Sequence, residues 1–375
     1  MGEQVRISGA ALELPGGVTV RFMRTLRLPE TGTHPLPPGL GSFPLRRVAD
    51  HPQRAPTQWL THGGVLLPVY QREAMWLSLS STVPVALQVG AGKVCAVSGR
   101  PWSDQLGQDP QNYLVLPRQP WLDGINSGQG TIRQFVAVPL GLGATVEGQV
   151  SGEEVWGGVQ LQVFELRQDI LDRWQTRAAQ ALPPHGGWGL APESAAGGAP
   201  GGIPAQPTAR RQGSAPAPSG TPVRESARSA PGTAPGYVQA PAAGAAPRPA
   251  PAMGLGAGGR MRQEVYRDDR PLSDWRETPS GRVFVHLTTA PQWRDITGEP
   301  APASPVDRAA YTAAGLPWFD YYDTDGVDLP ASGPLSDVRP VGDWLGDDGQ
   351  PWTPPGPQQI KHLGDDPGRV TDGEW

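Results

Sequence analysis

The sequence is poor in several residue types, and each shortage narrows what the protein can be. It has 375 residues and one cysteine, Cys95, which excludes a disulfide framework and any cysteine-rich zinc site. Only Lys93 and Lys361 are lysines among 31 cations. The six histidines (34, 51, 62, 185, 286 and 362) show no i,i+4 or HExxH spacing. No run approaches the roughly 18 apolar residues of a membrane-spanning helix. Met1 to Ile7 lacks a basic stretch leading into an apolar core, so no secretory signal is expected and the cytoplasm is the default. Excess positive charge is missing too. The net charge is −5, with +1 over residues 1–180, +3 over 181–259 and −9 over 260–375. A neutral body and an acidic end argue against a nucleic-acid partner, which needs a basic stripe to release counterions.

Glycine and proline, by contrast, are plentiful: 50 and 45 residues, about a quarter of the chain. They concentrate in residues 183–258. Of the 68 residues from 191 to 258, 49 are Ala, Gly, Pro or Ser, and Tyr237 is the only aromatic. Such a stretch cannot bury enough apolar surface to offset an ordering entropy of about 1–2 kcal/mol per residue. It reads as a long disordered linker.

Residues 1–182 have a period of two. Val18, Val20 and Phe22 alternate with Thr19 and Arg21, and Leu26 and Leu28 continue the inward set. Further strands are expected at 64–69, 74–79, 83–89, 93–98, 113–116, 131–138, 145–150 and 159–166, with a tight Gly90-Ala91-Gly92 connection. Strands at this spacing, broken by Gly/Pro turns, predict a mainly β protein with an antiparallel β-sandwich body and a few short helices. Residues 169–181 read as a helix stopped by Pro183-Pro184.

Beyond the linker, 260–266 and 282–287 read as strands. Ser304-Pro305-Val306-Asp307 reads as a helix start, with Gly315 as its stop. About 70 residues (259–328) make a marginal independent core, so this segment is expected to dock on the first body. Residues 329–375 read as an acidic Pro/Gly-rich tail. The sequences Thr131-Ile132-Arg133-Gln134-Phe135-Val136 and Arg260-Met261-Arg262-Gln263-Glu264-Val265 echo each other, either as equivalent strands or by chance.

Several stretches resemble a family of uncharacterised bacterial proteins. They include Thr19-Val20-Arg21-Phe22-Met23-Arg24, Val69-Tyr70-Gln71-Arg72-Glu73-Ala74-Met75-Trp76 and Gln119-Pro120-Trp121-Leu122-Asp123-Gly124-Ile125. Also similar are Thr131–Ala137, Gly258-Gly259-Arg260-Met261-Arg262-Gln263-Glu264 and Ala314-Gly315-Leu316-Pro317-Trp318-Phe319-Asp320-Tyr321-Tyr322. The resemblance implies architecture and no activity. Family members are sometimes labelled integral membrane proteins, a label that no apolar run in this sequence supports.

Five groups of residues bear on chemistry. Cys95 sits in an alternating apolar run with no histidine near it in sequence, the pattern of a structural thiol. His286 alternates with Val285 and Leu287 and reads as a sheet residue or a general base. Asp320, Asp323, Asp325 and Asp328 around Gly326 resemble part of a calcium loop without a distal bidentate Glu, and Asp is also common in turns. The glycines at 90–92 and 254–259 lack the helix N-terminus of a phosphate loop. The richest cluster is Arg118, Trp121 and Asp123 with Arg133 and Gln134. It offers an indole, a carboxyl, two guanidiniums and an amide, either as a ligand site or as a packed sandwich end.

The expectation is therefore a non-enzymatic binding or self-assembling protein with a protein partner or a second copy of itself and no cofactor. A hydrolase-like enzyme using Asp123, Arg133 and His286 is one alternative, and calcium-dependent binding is another.

Overall fold

The computed structural model describes residues 5–181, 252–303, 307–321, 326–346 and 352–363. Eight strands carry the architecture: β1 (Val18–Thr25), β2 (Val65–Val69), β3 (Ala74–Ser80), β4 (Val85–Ala91), β5 (Thr131–Pro139), β6 (Val159–Glu165), β7 (Met253–Arg262) and β8 (Gly281–Thr289). β1 pairs with β3 from Thr19 opposite Ser80 to Thr25 opposite Ala74, and β3 meets β5 at Met75 and Phe135. β5 then runs antiparallel to β7, from Thr131 opposite Arg262 to Pro139 opposite Met253. In the second set β4 pairs antiparallel with β6, and β6 with β8. β8 runs parallel to β2, from Val285 opposite Val65 to Thr289 opposite Val69. The two sets join where Met253 pairs with Leu287.

Alternation explains why the sets pack on each other. Val20 and Phe22 of β1, Met75 and Leu77 of β3, Leu87 and Val89 of β4, Leu161 and Val163 of β6, and Val285 and Leu287 of β8 fall into one buried cluster. Much of the outer surface is covered as well. Trp59, Trp293 and Ile296 sit over Leu66, and Tyr113, Trp275 and Leu166 sit over Ala86 and Phe164. Hence β4 is buried at every position, although a half-exposed strand would alternate. The protein is mainly β, with a large antiparallel sheet and few short helices. No helix among the described residues is long and apolar enough to cross a membrane.

The tight connection expected at Gly90–Gly92 falls on Gly92-Lys93, a two-residue hairpin with Val94 opposite Ala91 and Gly92 at φ +59°, while Gly90 and Ala91 belong to β4. Other expectations fail for identifiable reasons. Residues 145–150 are helical, Val146–Ser151, because Thr145 caps the turn by accepting from the Gly148 N–H at 2.9 Å. Val146 and Val150 are four apart, a spacing that suits a helix face better than a strand.

The stretch expected to be linker ends earlier than its composition suggests. β7 begins at Met253, so Gly254, Gly256, Gly258 and Gly259 belong to the strand. A Cβ on Gly256 would lie 2.7 Å from Val341 Cγ2, and one on Gly259 would lie 2.1 Å from the Pro29 carbonyl oxygen. Glycine is required here by close approach. The rest of 183–258, to residue 251, lies outside the described residues.

The later helix spans Arg308–Ala313, capped by Asp307 accepting from Ala310 N–H at 2.7 Å; the expected start at Ser304 lies outside the described residues. Beyond Leu329, Leu335, Val338 and Val341 are buried in the body, although the composition reads as a polar tail.

The echoing segments are neighbours, Ile132 opposite Met261 and Arg133 opposite Arg260. Between Arg133 and Phe135 the register slips, and Gln134 turns its side chain onto the segment after β1. Its Nε2 donates to the Leu26 carbonyl at 2.8 Å, while its Oε1 accepts from the Leu28 N–H at 2.9 Å. The amide thus does what a paired strand residue would do. Gln263 does the same, its Oε1 accepting from Asp123 N–H at 3.0 Å and its Nε2 donating to the Trp121 carbonyl at 3.4 Å. Gln119 bridges Glu264 and Tyr266, and Gln111 bridges Tyr266 and Asp268.

Two outcomes follow from these pairings. Gln134→Leu keeps the volume but leaves Leu26 C=O and Leu28 N–H buried without partners, at about 1–3 kcal/mol for each group. Urea denaturation should show a loss of roughly 2–6 kcal/mol, and an unchanged midpoint would contradict the bridge. Separately, residues 1–190 and 245–375 produced as two polypeptides should co-purify and melt as one. Two soluble fragments with independent cooperative melts would count against mutual dependence.

Candidate functional site

The richest sequence cluster is divided by the fold. Gln134 is fully buried and committed to the backbone of Leu26 and Leu28. Arg133 is 9% exposed, and burial first, then Arg260, lowers its basicity, opposed by Glu30 and Asp343. The guanidinium of Arg118 lies over the Tyr266 ring at 5.4 Å. Trp121 and Asp123 share a cavity, a slot of about 180 Å³ that they line with Leu36, Pro37, Trp76 and Phe319.

Trp121-Leu122 pairs with β3, Trp121 opposite Ser78, which brings its indole to the side of the sheet carrying Trp76. On β3, Met75, Leu77 and Leu79 turn into the core, and Trp76 shares the outward face with Ser78 and Ser80. A tryptophan among outward-facing serines is the signal by which the sequence could have revealed Trp76. Residues 36 and 319 come together through paired backbones: Leu36 N–H donates to the Phe319 carbonyl at 2.7 Å, and Phe319 N–H donates back at 3.0 Å. No local pattern announces that pairing.

Two polar features are buried beside this apolar lining. The Trp76 Nε1–H is buried and has no hydrogen-bond partner among the described residues. Asp123 is 2% exposed, and its carboxylate accepts from Gln263 Nε2 at 2.9 Å. Burial lifts its pKa from 3.8 to about 7, with the Gln263 bond opposing only part of the rise. Near neutrality the carboxyl is therefore poised between a neutral donor and an anion.

The other candidates have separate surroundings. His286 is 3% exposed, donates from Nε2 to the Gly63 carbonyl at 2.9 Å and stacks on Trp59 at 4.6 Å. Burial pulls its pKa down to about 4, so it is neutral at pH 7. Asp123, Arg133 and His286 make no hydrogen bond or ion pair with one another. Cys95 is buried, its thiol donating to the Asn112 carbonyl at 3.3 Å, and burial raises its pKa.

Of the aspartates in the calcium-like loop, Asp328 accepts from Gly130 N–H at 2.7 Å and Val265 N–H at 3.0 Å, a structural duty. Asp320 lies 3.8 Å from Arg262. Asp323 and Asp325 lie outside the described residues. The second glycine pattern, 254–259, lies within β7. No family model, curated protein or solved structure matches the chain.

The raised pKa of Asp123 sets a pH dependence of stability. The unfolded chain loses this proton near pH 4 and the folded chain near pH 7, so stability falls as pH rises across that window. Asp123→Asn should remove this fall, worth on the order of 4 kcal/mol, and should melt above the native chain at pH 8. Equal melting shifts of the two proteins from pH 4 to 8 would refute the assignment.

Proposed function

We propose that this chain is a non-enzymatic, cytoplasmic binding protein whose Trp76–Trp121 slot receives an apolar side chain from an extended segment of a partner protein. The observation that carries the reading is the pair of indoles beside a buried indole N–H that lacks an acceptor. A peptide carbonyl supplies that acceptor, and the Asp123 carboxyl, when neutral, has a proton to donate. The strand Gly39–Ser42 supports the choice of an extended segment. It lies beside the slot and pairs with β1, Met23 opposite Ser42 and Thr25 opposite Gly39, with Gly39 and Gly41 exposed. An added strand would gain backbone bonds there while every second side chain faces the indoles. Buried tryptophans are the usual anchors of such contacts.

Peptides selected from a random library on the full chain give the test. Trp121→Ala should weaken the selected peptides at least about tenfold, roughly 1.4 kcal/mol, with the melting temperature little changed. Binding should also weaken from pH 6 to pH 8 as Asp123 ionises, and Asp123→Asn should abolish that trend. Selected peptides indifferent to both Trp76 and Trp121, or a library yielding no binders, would defeat the proposal.

A further inference from the structure

A second cavity, larger and of different chemistry, lies on the outer face of the other strand set. It is a trough of about 480 Å³, within the usual range for small-molecule sites of about 300–1,000 Å³. Its floor comes from residues of β6 and β8 that alternate with core residues, namely Gln160, Gln162 and Phe284. Its walls are Trp102, Trp156 and His62.

The walls are held in place by buried contacts. Trp102 lies against Gly90, where any Cβ would come within 2.7 Å of the indole. The fully buried carboxylate of Glu147 accepts from Trp156 N–H at 3.1 Å and Gly157 N–H at 2.8 Å, which fixes the turn carrying Trp156. The rings then form a row, with His62 and Trp156 centroids 4.1 Å apart and Trp156 and Phe284 centroids 5.4 Å apart. Such a surface takes a flat ring by stacking and edge contacts.

The charges at the rim have one sign. Arg6, Arg47 and Arg282 line the trough, and no Asp or Glu is among its lining residues. Arg47 and Arg282 reach Asp50 and Asp104 at 3.0 and 3.1 Å, but all four side chains are largely exposed and such pairs are weak. Arg6 has no ion-pair partner among the described residues. At the floor, Gln162 is fully buried. Its Nε2 donates to Gln88 Oε1 at 3.2 Å, while its own carbonyl oxygen is buried with no donor among the described residues. A built site with a spare acceptor within, stacked rings on its walls and guanidiniums at its mouth matches a definite kind of molecule.

We propose that the trough binds a small planar aromatic compound that carries an anionic group, the ring lying among Trp102, Trp156 and Phe284 and the anion meeting Arg6 and Arg282. A donor on the ring system would satisfy the Gln162 carbonyl oxygen. This site is independent of the Trp76–Trp121 slot.

Fluorescence titration of the full chain with anilinonaphthalene sulfonate, an anion with a flat naphthalene ring, against neutral phenylnaphthylamine tests it. The sulfonate should bind saturably at one site and quench tryptophan emission. The double variant Arg6→Gln/Arg282→Gln, both changes at exposed positions, should weaken it at least about tenfold while leaving the neutral compound unaffected. Trp121→Ala should leave sulfonate binding unchanged, so failure here and failure of the peptide slot are read separately. Equal binding of the two compounds, sulfonate affinity unmoved by the double variant, or loss of binding in Trp121→Ala would each overturn the proposal.

Discussion

Side-chain amides stand in for strand backbone at the seams of this protein. Gln111, Gln119, Gln134 and Gln263 each donate to the carbonyl of one residue and accept from the N–H two residues further on. A glutamine amide carries the same donor and acceptor as a peptide group, so it can satisfy a segment that has no strand beside it. Gln119 and Gln263 do so reciprocally. One reaches from the segment before Trp121 onto residues 264 and 266, and the other reaches back onto residues 121 and 123. Gln263 also donates to the buried Asp123 carboxylate.

The two cavities follow from how the sheet is covered. The fold shares a single core between its strand sets, and satellite clusters cap much of the outer faces. Where the caps stop, aromatic side chains on outward strand positions line hollows. The slot faces Trp76 of β3 and the trough faces Phe284 of β8. The chemistry of each hollow depends on its rim. Pro37, Leu36 and Phe319 leave the slot apolar apart from one carboxyl, whereas three arginines make the trough cationic.

Much of the β-body was legible because period-two alternation survives wherever a strand has one face on the core, as in Val18–Phe22. Legibility failed where side chains are small or where a cap decides the conformation. Gly254–Gly259 carries only Leu255 and Ala257 as inward side chains between glycines, yet it forms the strand that lies against Pro29, Val136 and Val341. The helix at Val146–Ser151 depends on Thr145 and on Glu154, whose carboxylate accepts from Gly143 and Thr145 N–H groups at 3.0 Å each. Of the richest cluster, Trp121 and Asp123 share a cavity. Arg133 and Gln134 are adjacent in sequence, but a slipped register sends them to different neighbours.

Residue order and hydrophobicity alone determined the secondary-structure class, the positions of the principal strands and the absence of a disulfide framework, because these depend on local periodicity and composition. Which strands pair, which glutamine reaches which backbone and which aromatic rings meet across a hollow depended on contacts between residues far apart in the chain, more than a hundred positions for each bridging glutamine. Only the assembled chain fixes such contacts, since the free energy that selects them comes from burial and hydrogen bonding shared among segments.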